Sequence, residues 1–180
     1  CLESLQHWGV EVPIAPEQVY LRSELPRLMD PLHIIVSSFV VGETSAVPIF
    51  GAMLANATDP SAVQVLQGIV RDEKVHRSFA WKVLDEILLQ DASNNRRLLG
   101  HCGLDQTYTS AFVYIQDNLA RWTGEIYRAF SSGEHDPLLS DTEKQFGLID
   151  GVQYRDIWVQ CFHDTVRPQF TARQFDIPTF

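Results

Sequence analysis

The chain has 180 residues, 45% of them hydrophobic, with a formal charge of −9 and a pI near 5.0. That length supports a single globular domain with its own core, and the acidic balance argues against nucleic acid as a partner, because a phosphate backbone is repelled by the mean field of such a protein. No run of about 18 uncharged apolar residues occurs, so no membrane span is expected.

Residues 1–30 carry Pro13, Pro16 and Pro26 among mixed side chains, which predicts an irregular or short-helical lead-in. A first long helix is expected to start at Asp30, with Pro31 in its first turn, and to stop in the stretch from Asn56 to Pro60. Pro48 is a candidate kink in it. A second helix is expected from about Ser61 to Gln90, and the tight connection makes the two an antiparallel hairpin.

The stretch "DASNNRRLLGHCGLD" reads as a polar linker. A third helix is expected from about Gln106 to Phe130, with Phe112, Ile115, Leu119, Trp122 and Ile126 at helical spacing. A short helix before Gly147 and a fourth long one from about Val152 to Phe175, bent at Pro168, complete the chain, and 176–180 form a tail. No alternating strand pattern competes. The expectation is an all-α fold in which residues 31–175 form an antiparallel four-helix bundle of two helical hairpins.

Polar residues interrupt the apolar stripes of these helices. On the first helix, Val36, Val40, Glu43, Val47, Phe50 and Leu54 recur in steps of four and three, so Glu43 is expected to point inward. On the second, the same stepping through Ala62, Leu66, Ile69, Glu73, His76, Ala80, Val83 and Ile87 puts Glu73 and His76 on the buried stripe. A buried carboxylate without a partner costs several kcal/mol or takes up a proton. A divalent cation removes that cost, and the i, i+3 spacing of Glu73 and His76 lets an oxygen and a nitrogen converge on one ion. Glu43 would supply a further oxygen from the facing helix.

The third helix offers Glu125 at the border of its apolar stripe. On the fourth, the stripe Val152, Asp156, Val159, His163, Val166, Phe170 contains His163, with Gln160 one turn and Asp156 two turns before it. The segment "QCFH" thus echoes "EKVH".

With these residues in hand, the chain resembles the ferritin-like superfamily of dimetal-carboxylate four-helix bundles over roughly residues 31–175. In that superfamily two helices each give a Glu and the other two each give Glu-x-x-His, around two iron or manganese ions. The resemblance implies Glu43, Glu73 and His76 as ligands from the first half, in "GETSAV" and "RDEKVHRSF", and Glu125 and His163 from the second. Gln160 stands where the family would place a bridging Glu. That departure implies an asymmetric site, with two ions or one, and Asp156, which lies about 10 Å along a straight helix from His163, compensates poorly. Asp72, Asp156 and Gln160 are the candidates for hydrogen-bonding the ligands.

The implied activity is that of a diiron or iron/manganese oxidase or oxygenase acting with dioxygen or peroxide on a small-molecule substrate that the sequence does not name. The alternative is a non-catalytic binding or assembly module with a degenerate metal site. A homodimer is compatible with either. His7, His33, His101 and His135 read as structural, as do the aromatic side chains and Cys161. Cys1, Cys102 and Cys161 show no CxxC spacing and leave one thiol unpaired in any disulfide scheme, which favours a reduced, cytoplasmic setting. A mature lipoprotein also begins with Cys, and that alternative would anchor the chain at a membrane.

Overall fold

In the computed structural model the described residues are 30–180 except 91, 102, 105, 106 and 132–138. Pro31–Phe180 form one compact unit. All regular structure among the described residues is helical. The expectations for residues 1–29, including His7 and the prolines of the lead-in, and those for Cys102 and His135, lie outside the described residues.

Helix α1 (Pro31–Asn56) and helix α2 (Pro60–Leu89) form the expected hairpin. The turn is tightly specified. Asp59 caps α2 by accepting from the backbone N–H groups of Ser61 and Ala62, both at 2.9 Å, and Pro60 occupies the first helical position, where its missing N–H costs nothing. Helix α3 (Ala92–His101) lies within the segment that reads as a linker, so that expectation is corrected. Its Asn and Arg residues look like loop composition, but Leu99 is fully buried and anchors the helix to the core. Helix α4 (Ala111–Ser131) follows, burying Ile115, Leu119 and Trp122 as its stripe foretells. The short α5 (Asp141–Gln145) starts at a capping box in which Ser140 and Glu143 bond reciprocally. Helix α6 (Gly151–Cys161) runs through a π-helical turn, Phe162–Val166, into α7 (Arg167–Ala172).

Gly147 ties the α5 segment to the hairpin turn. Its φ is +84°, and a Cβ there would stand 2.2 Å from the Met53 carbonyl and 2.9 Å from Ala57 Cβ. The approach lets the Gln145 carbonyl accept from the N–H groups of Thr58 and Asp59, at 2.9 and 3.0 Å. Only glycine satisfies both the backbone angle and the contact.

Helix α1 is central. Its α-helical ends, Pro31–Ile34 and Glu43–Asn56, are joined by eight π-helical residues, Ile35–Gly42. Wider winding lengthens the repeat, and the buried residues Leu32, Val36, Val40 and Val41, Thr44 and Ser45, and Ile49 recur at four to five. The buried face is therefore not the expected Val47, Phe50 and Leu54 stripe beyond Glu43, which is only half-buried.

Pro48 lies inside this helix, and the carbonyl it leaves without an intrahelical donor belongs to Thr44. That oxygen accepts instead from Cys161 Sγ at 3.6 Å. The Thr44 hydroxyl donates to the Val40 carbonyl at 2.6 Å and accepts from the Trp81 indole N–H at 3.0 Å. One fully buried threonine thereby links α1, α2 and α6.

Helix α1 is also long and apolar enough to cross a membrane by length and composition alone, with a mean hydropathy of 1.6 in its best window, a third of which is buried. Glu43 and Pro48 interrupt that run, and its inward side packs against protein.

Candidate metal centre

The second helix brings Glu73 and His76 to one side as their spacing requires, and α1 supplies Glu43 opposite them. His76 Nδ1 stands 3.5 Å from Glu43 Oε2 and 3.6 Å from Glu73 Oε2. One ligand atom from each of the three side chains lies within 4.8 Å of the other two. The two distances from His76 Nδ1 are of the size expected for donors around one ion, since bonds of about 2.0–2.2 Å place ligand atoms roughly 3–4 Å apart.

Burial in the group is graded. The Glu73 side chain is 16% exposed, Glu43 27% and His76 54%. The expectation that His76 lies on the buried stripe is thereby corrected. On α2 the inward side chains are Ala62, Leu66, Ala80, Trp81, Leu84 and Ile87, so the helix is rotated to bury Leu84 and Trp81 in place of Val83 and His76. The indole of Trp81, bonded to Thr44 and covered by the Arg173 guanidinium 4.4 Å from its ring centre, fixes that rotation.

Glu73 Oε2 is buried and has no hydrogen-bond partner. Glu43 feels the same crowding: burial, a hydrogen bond to Glu73 and the charge of Glu73 push its carboxyl up to about 7, against a smaller opposing pull from His76. Two carboxylates stand close together, and one of their oxygens, Glu73 Oε2, accepts no hydrogen bond and has only the His76 ring 3.6 Å away. A divalent cation would balance their charge.

The remaining expected residues do not join. Glu125 is half-exposed and pairs with Arg121 at 3.7 Å, one turn away on its own helix. His163 packs edge-on against Tyr127 and Phe162, at 5.9 and 5.8 Å between ring centres. Asp156, expected on a buried stripe, is exposed and paired with Arg155 at 2.7 Å. The π-helical turn at Phe162–Val166 turns the inward face of this segment to Trp158, Cys161, Phe162 and Val166. Gln160 is exposed and lines a groove of about 410 Å³ with Thr44, Arg77 and Asp164. Asp72, exposed on α2, accepts from Arg71 at 3.2 Å.

His33 stacks on Trp122 at 5.0 Å, in keeping with a structural role. Sequence reasoning missed the part played by Thr44, whose position immediately after Glu43 and four before Pro48 is the signal that could have found it. Compared with known proteins, the chain matches no family model, no curated protein and no solved structure.

Proposed function

We propose that this chain is a non-haem metal protein of ferritin-like, four-helix design that binds iron or manganese through Glu43, Glu73 and His76. Its reaction class is oxidase or oxygenase chemistry with dioxygen or peroxide. The observation that carries the reading is the buried Glu73 Oε2, which accepts no hydrogen bond, beside a second carboxylate and an imidazole. Two oxygens and one nitrogen with open positions suit iron or manganese better than a closed structural zinc site.

The ion, when bound, supplies the redox change and the coordination positions at which an oxidant is activated. The protein's own groups do the rest. Glu43 and Glu73 provide the compensating negative charge, and Glu43 must release its proton to serve. His76 turns Nδ1 towards both carboxylates. Thr44 and Trp81, next to these residues, hold α1 and α2 in register so that the donors converge.

Titration of the purified protein with Mn²⁺, and anaerobically with Fe²⁺, tests the metal reading. At a free ion concentration 100 times Kd the folded state gains about 2.7 kcal/mol, so Tm rises. Glu73→Gln removes one of two crowded carboxylates, so its metal-free form is expected to melt higher than the parent while its metal-induced shift disappears. A parent protein whose Tm ignores both ions sinks the assignment. The second reading, a non-catalytic module, is favoured by Glu125 and His163 standing outside the group; ferrous-loaded protein that binds its metal yet consumes neither dioxygen nor peroxide would decide for it.

A further inference from the structure

A groove of about 410 Å³ follows the junction of α1 with the α6 segment, and α2 adds one side chain to it, Arg77. It shares no residue with the metal group. Its volume falls among those of small-molecule sites, about 300–1,000 Å³.

The course of the chain sorts the lining into two ends. Gly147, four residues before α6, lies against Met53 and Ala57 at the end of α1, while further along α6 the Cys161 thiol reaches the Thr44 carbonyl. The two helices therefore run antiparallel. Val47, Pro48 and Ala52 on α1 share one end of the groove with Ile157 on α6, and that end is apolar. At the other end Arg77 stands level with Thr44, because Trp81 bonds to Thr44 and His76 meets Glu43. Asp164 lines this end too, three residues beyond Cys161 in the π-helical turn.

This end carries both signs of charge, and they do not pair. Among the described residues neither Arg77 nor Asp164 makes an ion pair or a side-chain hydrogen bond, although Arg77 is half-buried. Both stand near the Cys161 thiol. Burial pushes that thiol up, and among the smaller influences Arg77 pulls it down while Asp164 pushes it up. A guanidinium fork receives a carboxylate through two parallel hydrogen bonds, and a carboxylate accepts from an ammonium. The Gln160 amide, on the same groove, offers a further donor and acceptor.

We infer that the groove binds a free α-amino acid with an apolar side chain, its carboxylate on Arg77, its ammonium on Asp164 and its side chain against Val47, Pro48, Ala52 and Ile157. A simple carboxylic acid would bring like charge to Asp164, and a simple amine would bring like charge to Arg77. A head group bearing both charges meets each with its opposite. The site is independent of the metal reading.

The test is calorimetric titration of the full chain, without metal, with L-leucine, L-methionine and L-phenylalanine. Isocaproate and isopentylamine serve as controls, since they keep the leucine skeleton but lack its amine or its carboxylate. At least one amino acid is expected to bind saturably, and L-leucine at least about tenfold more tightly than either control, the size of one lost hydrogen bond to a charged group. Arg77→Gln is expected to keep the helical content of the parent and to weaken amino-acid binding by at least about tenfold for the same reason. Asp164→Asn, at an exposed position, is expected to do likewise and serves as the second variant should Arg77→Gln fail to fold. Isocaproate or isopentylamine binding as tightly as L-leucine, or unchanged affinity in Asp164→Asn, overturns the two-charge assignment. No saturable binding of any of the three amino acids up to about 10 mM overturns the site itself.

Discussion

The α1–α2 hairpin and the α4–α6 half start from similar sequence material and end differently. Each pairs a Glu on one helix with a histidine-bearing motif on the next. In the hairpin the polar groups converge to within 4.8 Å. In the other half the same positions are taken up by rings. Tyr127 touches Trp158, Phe162, His163 and Phe180, and Phe130 packs on Tyr154 and Trp158, with ring centres 5.0 to 5.9 Å apart. His163 is one ring of an aromatic cluster, and Glu125 is a surface ion pair. Spacing along a helix brings donors to one face, but which groups meet depends on how the partner helix is rotated.

Substitutions that reach the heart of the contrast should have the largest effects. Replacing Glu73 or His76 with Ala is expected to weaken Mn²⁺ binding by at least about 100-fold, since loss of a group that merely supports a ligand already costs 10–100-fold. Glu125→Gln and His163→Gln are expected to change it less than about threefold, within the spread of surface effects. Calorimetric titration of the four variants checks both statements, and a large loss in the second pair would erase the distinction between the halves. Gln160→Glu sharpens the same point: with its side chain exposed in the groove, metal stoichiometry is expected to stay unchanged.

The turn that aligns the hairpin comes next. Gly147→Ala adds a Cβ 2.2 Å from the Met53 carbonyl at φ +84°. A loss of roughly 2–4 kcal/mol is expected from strain and overpacking together, measured by urea denaturation.

Smaller again is the clamp from the C-terminal segment. Arg173 donates to both Asp85 oxygens, at 2.6 and 2.8 Å, and covers Trp81. Arg173→Met is expected to cost about 1 kcal/mol, because Asp85 remains partly hydrated.

The gentlest perturbation is pH. Glu43 titrates near 7 in the metal-free protein, above its ordinary 4.5. Between those values the unfolded chain loses its proton first, so the stability present below pH 4.5 is lost as pH rises to about 7. Metal affinity moves the other way, strengthening through the same window because binding must displace that proton. Thermal melts with and without Mn²⁺ from pH 4.5 to 8 would show the two trends diverging, and parallel trends would remove Glu43 from the ligand set.

Much of the helical content was legible from periodicity and punctuation. The Pro31 and Pro60 starts, the Asn56 stop and the short helix before Gly147 follow from local backbone chemistry that neighbours do not override. Helix α3 was not legible, because its polar composition hides the buried Leu99 and its half-buried neighbour Leu98. For the site, Glu43, Glu73 and His76 were readable as a set from spacing on two helices joined by a short turn. Their exposure was not. Stripes read at steps of three and four assume ordinary α-winding, and both α1 and the α6–α7 segment depart from it through π-helical turns. This error moved Asp156 inward on paper; the rotation fixed by Trp81 did the same for His76.

The π-helical stretch Ile35–Gly42 ends at the residue before Glu43. Wide turns of this kind hold a surplus amino acid relative to α-winding, so deleting one residue there would let the strand of hydrogen bonds close up normally. The α-helical turns that follow have no such surplus, and each of their residues turns the chain by about 100°, so a deletion there would rotate everything beyond it. One within the wide turns is absorbed, with the Glu43 carboxylate still facing Glu73 and His76.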